Sequence, residues 1–280
     1  MTSSAMAEGA FFGNYELERE LGQGGMGTVY LARDTGLDRK VALKILRTDL
    51  SDDSSFAQKF LEEVEVTASL AHPNIIRVYA LGEQEGRPYL VMEHLDQPSL
   101  EQKMEASGKI PEREVLEIGI GIASALLFAN EETGLIHRDI KPGNILFGQG
   151  NTPKLADFGL AAGARSALGQ QDEIWGTPYY VSPERLNRGE EDIRSDIYSL
   201  GATLYHALAG RAPFEAGTAE EVACRHLMDR PPALRSLCPE AQEQTVFTLD
   251  RCLQKMPEQR WADYGDLIQH LQDARRRVKG

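Results

Sequence analysis

Three acid or amide side chains follow one another in a short stretch: Asp139, Asn144 and Asp157. Between the last two, Ile145-Leu146-Phe147 and Pro153–Ala156 read as strands, and Gly148-Gln149-Gly150-Asn151 as the turn joining them. Asn144 and Asp157 then stand at the open ends of a hairpin, where cross-strand neighbours lie about 5 Å apart. A converging amide oxygen and carboxylate form the kind of hard-oxygen set that Mg²⁺ accepts when phosphate groups complete its shell. Asp139 precedes Asn144 in the run His137-Arg138-Asp139-Ile140-Lys141-Pro142-Gly143-Asn144. A carboxylate there could take a hydroxyl proton as a metal-held phosphate is attacked.

Two further constellations lie upstream. The run Leu21-Gly22-Gln23-Gly24-Gly25-Met26-Gly27-Thr28-Val29 is rich in glycine. Without Cβ atoms, a turn can lay its backbone N–H groups close over an anion. A dinucleotide fingerprint would open a helix next, but Thr28-Val29-Tyr30-Leu31 reads as a strand, leaving a phosphate-covering turn or a plain tight hairpin. In Val41-Ala42-Leu43-Lys44 a lysine sits in an apolar strand. Unless it lies at an exposed edge, its ammonium needs partners, and a phosphate and a helix carboxylate are natural ones. Glu63 is the chosen carboxylate, with Glu62 and Glu65 assigned to solvent.

These residues need a scaffold, and the pattern along the chain supplies one. Residues 1–14 read as a loose tail. Tyr15–Leu21, Thr28–Arg33 and Lys40–Leu46 read as a β-meander, Ser54–Leu70 as a helix, and Ile75–Leu81 and Pro88–Glu93 as two more strands. After His94 the pattern turns helical, at Ser99–Ala106, Glu112–Glu131, Asp196–Ala209, Ala219–Met228, Gln242–Cys252 and Gly265–Val278. A β-rich first third and a helical remainder predict two lobes of an α+β protein, 15–95 and 96–275, hinged near 93–98, with 276–280 as the end of the chain.

Composition narrows the partners. With 30 Lys and Arg against 43 Asp and Glu, the 280-residue chain carries a formal charge of −13. That balance disfavours a nucleic-acid or anionic-membrane surface, though one local pocket can still hold a nucleotide. Cys224, Cys238 and Cys252 lack metal-ligand spacing and read as free thiols of a reducing compartment. The most apolar stretch, Ile118–Ala129, is interrupted by glycines and is too short for a membrane span, so a cytoplasmic location is expected.

The full set resembles the protein-kinase catalytic domain, in the bacterial eukaryotic-like serine/threonine branch, over residues 15–275. The likeness rests on Gly22, Gly24, Gly27 and Val29, on Lys44 with Glu63, on His137-Arg138-Asp139 with Asn144, on Asp157-Phe158-Gly159, and on Ser182-Pro183-Glu184 where the family more often has Ala-Pro-Glu. It implies a two-lobed fold with a small antiparallel sheet and one main helix in the first lobe, ATP as phosphate donor, and protein Ser/Thr hydroxyls as acceptors. It also implies Mg²⁺, with Mn²⁺ as the alternative ion, on Asn144 and Asp157. By the same resemblance Gly22 to Gly27 cover the phosphates, Leu21, Thr28 and Val29 also bind the nucleotide, Lys44 holds the α- and β-phosphates while paired to Glu63, Asp139 is the base, and Lys141 offsets γ-phosphate charge. Adenine would lie among Val29, Ala42 and Leu146 and bond the backbone at Glu93 and Leu95, with Met92 as gatekeeper. Arg260 is the expected partner of Glu184, Asp196 the acid bracing the catalytic loop, His137 a structural brace, and Thr177 a docking residue against Asp139 and Lys141. Family members often add a membrane span and sensor domains after the kinase; this chain has neither, so its signal input is expected from a partner or from the kinase itself.

One departure stands out. Relatives with an arginine before the catalytic aspartate usually need a loop phosphate to neutralise it. Here the phosphosite position is Glu173, after Asp172, and no Ser, Thr or Tyr lies between Ala167 and Gly176. Glu173 is therefore expected to pair with Arg138 and make activity independent of loop phosphorylation. Two rival readings are a pseudokinase scaffold, which would lack Lys44, Asp139 or Asp157, and a small-molecule phosphotransferase of related fold, which would lack the segment Gly176–Glu184.

Overall fold

The computed structural model describes residues 8–24, 27–46, 66–158 and 178–278. The chain divides into two compact units: Met1–Ala71 with Ile76–Leu95 and Phe158–Glu173, and His72–Ile75 with Asp96–Asp157 and Ile174–Gly280.

The first unit is built on an antiparallel sheet of six strands: β1 (Phe11–Phe12), β2 (Tyr15–Gly24), β3 (Gly27–Asp34), β4 (Arg39–Leu46), β5 (Val78–Gln84) and β6 (Arg87–Glu93), in the order β1-β2-β3-β4-β6-β5. Directly opposed residues share a face. Tyr30 faces Leu43, Ala32 faces Val41, and Leu43 faces Val91, so these side chains form one core with Phe12, Leu17 and Ile45. The opposite face carries Val29, Leu31, Ala42, Lys44, Leu90 and Met92, again as opposed pairs. β4 is buried from Val41 to Leu46, which is why its sequence is nearly continuous in apolar residues.

Two boundaries differ from the sequence reading. Within the tail expected over 1–14, Phe11 and Phe12 form a strand that pairs with Glu16 and Tyr15, and Leu17 N–H donates to Ala10 O at 2.9 Å. Burial of Phe12, edge-on to the Tyr89 ring at 5.5 Å, provides the driving force. The strand expected from Ile75 starts at Val78 instead. Ile75 bridges Leu155, and Asn74 Nδ2 donates to Pro153 O at 2.7 Å, so the segment belongs to the second unit.

The second unit holds α1 (Leu100–Ser107), α2 (Glu112–Thr133), a 3₁₀ turn at Pro142–Asn144, the hairpin β7 (Ile145–Phe147) and β8 (Pro153–Leu155), a one-turn helix at Pro183–Leu186, then α3 (Ile193–Ala209), α4 (Ala219–Met228), α5 (Glu243–Cys252) and α6 (Tyr264–Arg277). α1 starts on a capping box: Ser99 Oγ accepts from Gln102 N–H while the Gln102 side chain accepts from Ser99 N–H. α3 is the spine of the unit. Its residues are buried almost throughout, Asp192 caps its N-terminus, and Gly210 ends it at φ +76°. Gly201 lets α5 come close, since a methyl group there would lie 2.4 Å from Cys252 Cβ. Among the described residues no helix is long and apolar enough to cross a membrane, and Cys224, Cys238 and Cys252 are free.

Candidate active site

The second unit carries the acid and amide groups. β7 and β8 pair with Ile145 opposite Leu155, and Ala156 N–H donates to Asn144 O at 2.9 Å, so Asn144 and Asp157 stand at the open ends of the hairpin. The Asn144 amide nitrogen donates to Asp139 O at 2.7 Å and to Asp139 Oδ2 at 3.0 Å. Both its donors are thus spent on Asp139, which leaves the amide oxygen for another ligand. Lys141 Nζ donates to the same Asp139 oxygen at 2.8 Å. Among the described residues no donor occupies Asp139 Oδ1, which suits it to an incoming one.

The loop backbone is tied to the spine. Asp196, in the first turn of α3 and 0% exposed, accepts from His137 N–H at 2.7 Å, Arg138 N–H at 2.8 Å and Tyr264 OH at 3.0 Å. Burial pushes its carboxyl up, and those donors pull against the shift. His137 is wholly buried; its Nδ1 accepts from Asp139 N–H at 3.2 Å and its Nε2 sits 2.9 Å from Ala156 O. Accepting at Nδ1 fixes Nε2 as the protonated nitrogen, so the ring braces Asp139 against β8. Arg138 and Asp157 both adopt left-handed backbone, at φ +69° and +63°. Each such residue costs about 1–3 kcal/mol and persists only where its surroundings hold it.

Further contacts, from residues distant in sequence, brace this loop. Arg260, 0% exposed, forms a two-pronged pair with Glu184, Nη1 to Oε1 and Nη2 to Oε2, both at 2.8 Å. Burial alone would raise the Glu184 carboxyl; the Arg260 bonds and the Ser195 hydroxyl at 2.5 Å more than offset it and hold it below the ordinary range. Both this pair and the role of Asp196 match expectation. Three contacts were not anticipated: the Tyr264 hydroxyl on Asp196, the Arg185 guanidinium donating to Arg138 O, and Glu191 paired with Arg138 Nε at 3.3 Å. Nothing local signals them. Glu191 stands in the run Glu190-Glu191-Asp192, which reads as a solvated acidic stretch.

The first unit carries the glycine-rich hairpin and Lys44. β2 and β3 pair Gly22 with Val29, Gln23 with Thr28 and Gly24 with Gly27. The glycines serve different ends. Space above Gly22 and Gly24 is open, whereas a methyl group on Gly27 would lie 2.2 Å from Ile45 O, so Gly27 permits close packing of β3 on β4. Lys44, 6% exposed, stands opposite Val29 and Leu90, and Ala42 stands opposite Met92, so Val29, Ala42, Lys44 and Met92 share one face. Glu93 N–H is taken by Arg77 O at 2.9 Å and its carboxylate by Arg77 N–H at 2.7 Å. Leu21 is exposed at the tip side of β2, and Leu95 is the last residue of this unit's second segment. Gly25, Met26, Glu63, Gly159, Asp172, Glu173 and Thr177 lie outside the described residues, so the Lys44–Glu63 and Arg138–Glu173 pairings and the Thr177 contact do too.

The residues present suit a divalent cation on Asn144 and Asp157. The Asn144 amide is oriented oxygen-outward by its bonds to Asp139. Among the described residues no three His, Cys, Asp or Glu side chains converge, so phosphate oxygens and water would have to complete the shell, as Mg²⁺ prefers.

Comparison with known proteins agrees with this geometry. The Protein kinase domain family model matches residues 15–272. The chain is 36% identical over 263 residues to the serine/threonine-protein kinase PrkC of Bacillus subtilis, covering 94% of this chain and 40% of that one. It is 40% identical over 255 residues to the serine/threonine-protein kinase PknB of Mycolicibacterium smegmatis, covering 88% and 40%. The chain thus spans about 40% of the length of these relatives. Among solved structures, the Mycobacterium tuberculosis PknI kinase domain superposes with a TM-score of 0.76 at 30% identity, covering 96% of this chain and 99% of that one. With glycine hairpin, buried strand lysine, His-Arg-Asp loop and hairpin carboxylate all present on this two-unit α+β fold, the chain belongs to the protein kinase domain family, alongside its bacterial serine/threonine members.

Proposed function

We propose that this chain is an ATP-dependent serine/threonine protein kinase that transfers the γ-phosphate of ATP to Ser or Thr hydroxyls of protein substrates. The observation that carries the reading is the state of Asp139. Its Oδ2 is occupied by Asn144 and Lys141 and its backbone is tied through His137, so one oxygen is held ready for an acceptor hydroxyl. That is what a base needs: fixed geometry first, and a nearby cation to balance the phosphate being transferred.

The remaining roles follow the chemistry of each group. Lys44, buried in an apolar strand, is the cation for the α- and β-phosphates, with Glu63 as its carboxylate. The backbone of Gly22, Gln23, Gly24, Gly25, Met26 and Gly27 covers the phosphates, with open space over Gly22 and Gly24 supporting that role, and Leu21 and Thr28 are assigned to the nucleotide beside them. Val29, Ala42 and Met92 offer adenine an apolar surface beside Lys44, and Leu146 is assigned to the same base. Adenine is assigned to the backbone at Glu93 and Leu95, with Glu93 N–H itself donating to Arg77 O. Asn144 and Asp157 would hold Mg²⁺, or Mn²⁺ in its place, which when bound would neutralise charge on the transferred phosphoryl group. Asp139 orients the acceptor hydroxyl and takes its proton, while Lys141 offsets charge beside it. Glu173 at the usual phosphosite position, with no Ser, Thr or Tyr between Ala167 and Gly176, supports activity without loop phosphorylation.

The test is transfer from labelled ATP to a basic model protein, beside sugars and small alcohols, by wild type and Asp139→Asn. Phosphoserine and phosphothreonine should form, and Asp139→Asn should lose about 10²–10⁴-fold in kcat while still binding nucleotide. Equal rates in the two proteins would refute the role of Asp139; labelling of small alcohols alone would refute a protein substrate.

A further inference from the structure

The residue immediately before the proposed base is clamped on three sides. Arg138 N–H donates to Asp196 Oδ1 at 2.8 Å, Arg138 O accepts from the Arg185 guanidinium, and Arg138 Nε lies 3.3 Å from Glu191 Oε2. All three partners come from one stretch, 185–196, which runs from the Pro183–Leu186 turn into α3. The clamp holds a residue at φ +69°, a backbone state that arginine adopts only when held there.

Glu191 differs from its acidic neighbours. Glu190 is exposed, and Asp192 is spent on capping α3 and on the Arg194 guanidinium at 2.6 Å. The Glu191 side chain is 5% exposed, against 28% for Arg138. A carboxylate taken out of water is retained only with positive charge beside it, and among the described residues Arg138 supplies such a charge at 3.3 Å. The reciprocal holds as well. An uncompensated guanidinium next to Asp139 would compete with Lys141 and Asn144 for its carboxylate.

We infer that Glu191 is the resident counter-charge of Arg138 and, through it, a positioning residue for Asp139. It sets the catalytic loop from within the second unit, so that this geometry requires no phosphate group on the segment after Asp157. The inference rests on the reading of Asp139 as the base. It is separate from the expectation for Glu173, because Glu191 belongs to the run leading into α3.

The test uses phosphatase-treated full chain, with kcat and KM for ATP measured for wild type, Glu191→Gln, Glu191→Asp, Arg138→Gln, the Arg138→Gln/Glu191→Gln double variant and Asp139→Asn. Glu191→Gln keeps the shape and removes the charge; kcat should fall about tenfold, the scale of one close ion pair, with KM for ATP within about twofold. Glu191→Asp should lie between wild type and Glu191→Gln. In the Arg138→Gln background, Glu191→Gln should change kcat by less than about twofold, because a contact that acts only through its partner has nothing left to lose. A wild-type kcat in Glu191→Gln, or an equal loss in both backgrounds, overturns the inference. If Glu191→Gln does not melt cooperatively, Glu191→Asp and the double variant decide it by the same criteria: a full wild-type rate in Glu191→Asp, or a tenfold gap between the double variant and Arg138→Gln, overturns it. A wild type no faster than Asp139→Asn would instead overturn the kinase reading itself, an outcome distinct from equal, high activity in wild type and Glu191→Gln.

Discussion

Replacing Arg260 with leucine removes the cation at the centre of the braces around the catalytic loop. Its guanidinium is wholly buried and donates to both Glu184 oxygens at 2.8 Å and to the carbonyls of Gln254 at 2.8 Å, Arg194 at 2.8 Å and Lys255 at 2.9 Å. Leucine would leave a buried carboxylate without its cation, a loss of about 3–5 kcal/mol. The three carbonyls would each lose a donor, adding about 1 kcal/mol apiece where water does not reach them. The sum, about 6–8 kcal/mol with all three carbonyls dry, corresponds to a fall in Tm of about 12–32 °C for a unit of this size. Calorimetry at pH 7 measures it. The variant should also regain ground as the pH falls. In the wild type Glu184 is held below its unfolded value of about 4.3, so its contribution is present above that value and lost only as pH drops through the lower folded one. In Arg260→Leu the same carboxyl is buried without its partner and is pushed up, so it takes a proton at milder acidity. The gap in Tm should therefore narrow from pH 7 to pH 5. Replacing both charges, Arg260→Met with Glu184→Leu, should recover part of the loss, since an apolar pair of similar volume avoids the isolated charge. A Tm within about 2 °C of wild type for Arg260→Leu, or a double variant no better than the single one, would refute the reasoning.

Two further outcomes are expected. Burial pushes the His226 imidazole down to about 3, helped by Lys255, while its ring Nδ1 stands 2.8 Å from Tyr198 OH. Its unfolded value is about 6.5, so between the two the unfolded chain binds the extra proton and stability rises with pH, by up to about 1.4 kcal/mol per unit. Urea midpoints from pH 7 to pH 4 should fall less steeply for His226→Gln than for wild type; an identical slope would exclude this group as the source. In the first unit, Gly27→Ala should destabilise by about 1–3 kcal/mol because its Cβ would meet the Ile45 carbonyl, whereas Gly24→Ala should stay within about 0.5 kcal/mol in stability. Equal stability of the two variants in denaturant titrations would refute the distinct roles assigned to the glycines.

Much of the site was legible because its motifs are local. Asp139, Lys141 and Asn144 interact across five residues or fewer, and the hairpin that presents Asn144 and Asp157 is announced by its Gly-Gln-Gly-Asn turn. Lys44 stood out as a charge in an apolar strand, which strand periodicity then placed on the face of Val29, Ala42 and Met92. The Glu184–Arg260 pair spans 76 residues and was accessible only through family likeness. The ordering of Phe11 and Phe12 was missed because an edge strand of two residues has no period of its own; burial of Phe12 against Tyr89 decides it.

By itself, then, the sequence determined which groups could do the chemistry and which elements would carry them, since turn residues, strand alternation and helix period act over a few positions. Only the tertiary structure decided which charges are taken out of water. Glu191 and its neighbour Glu190 are the same residue type in the same acidic run, yet one is exposed and the other is buried against Arg138. The path of the chain from the Pro183–Leu186 turn into α3 makes that choice, and no short-range pattern encodes it.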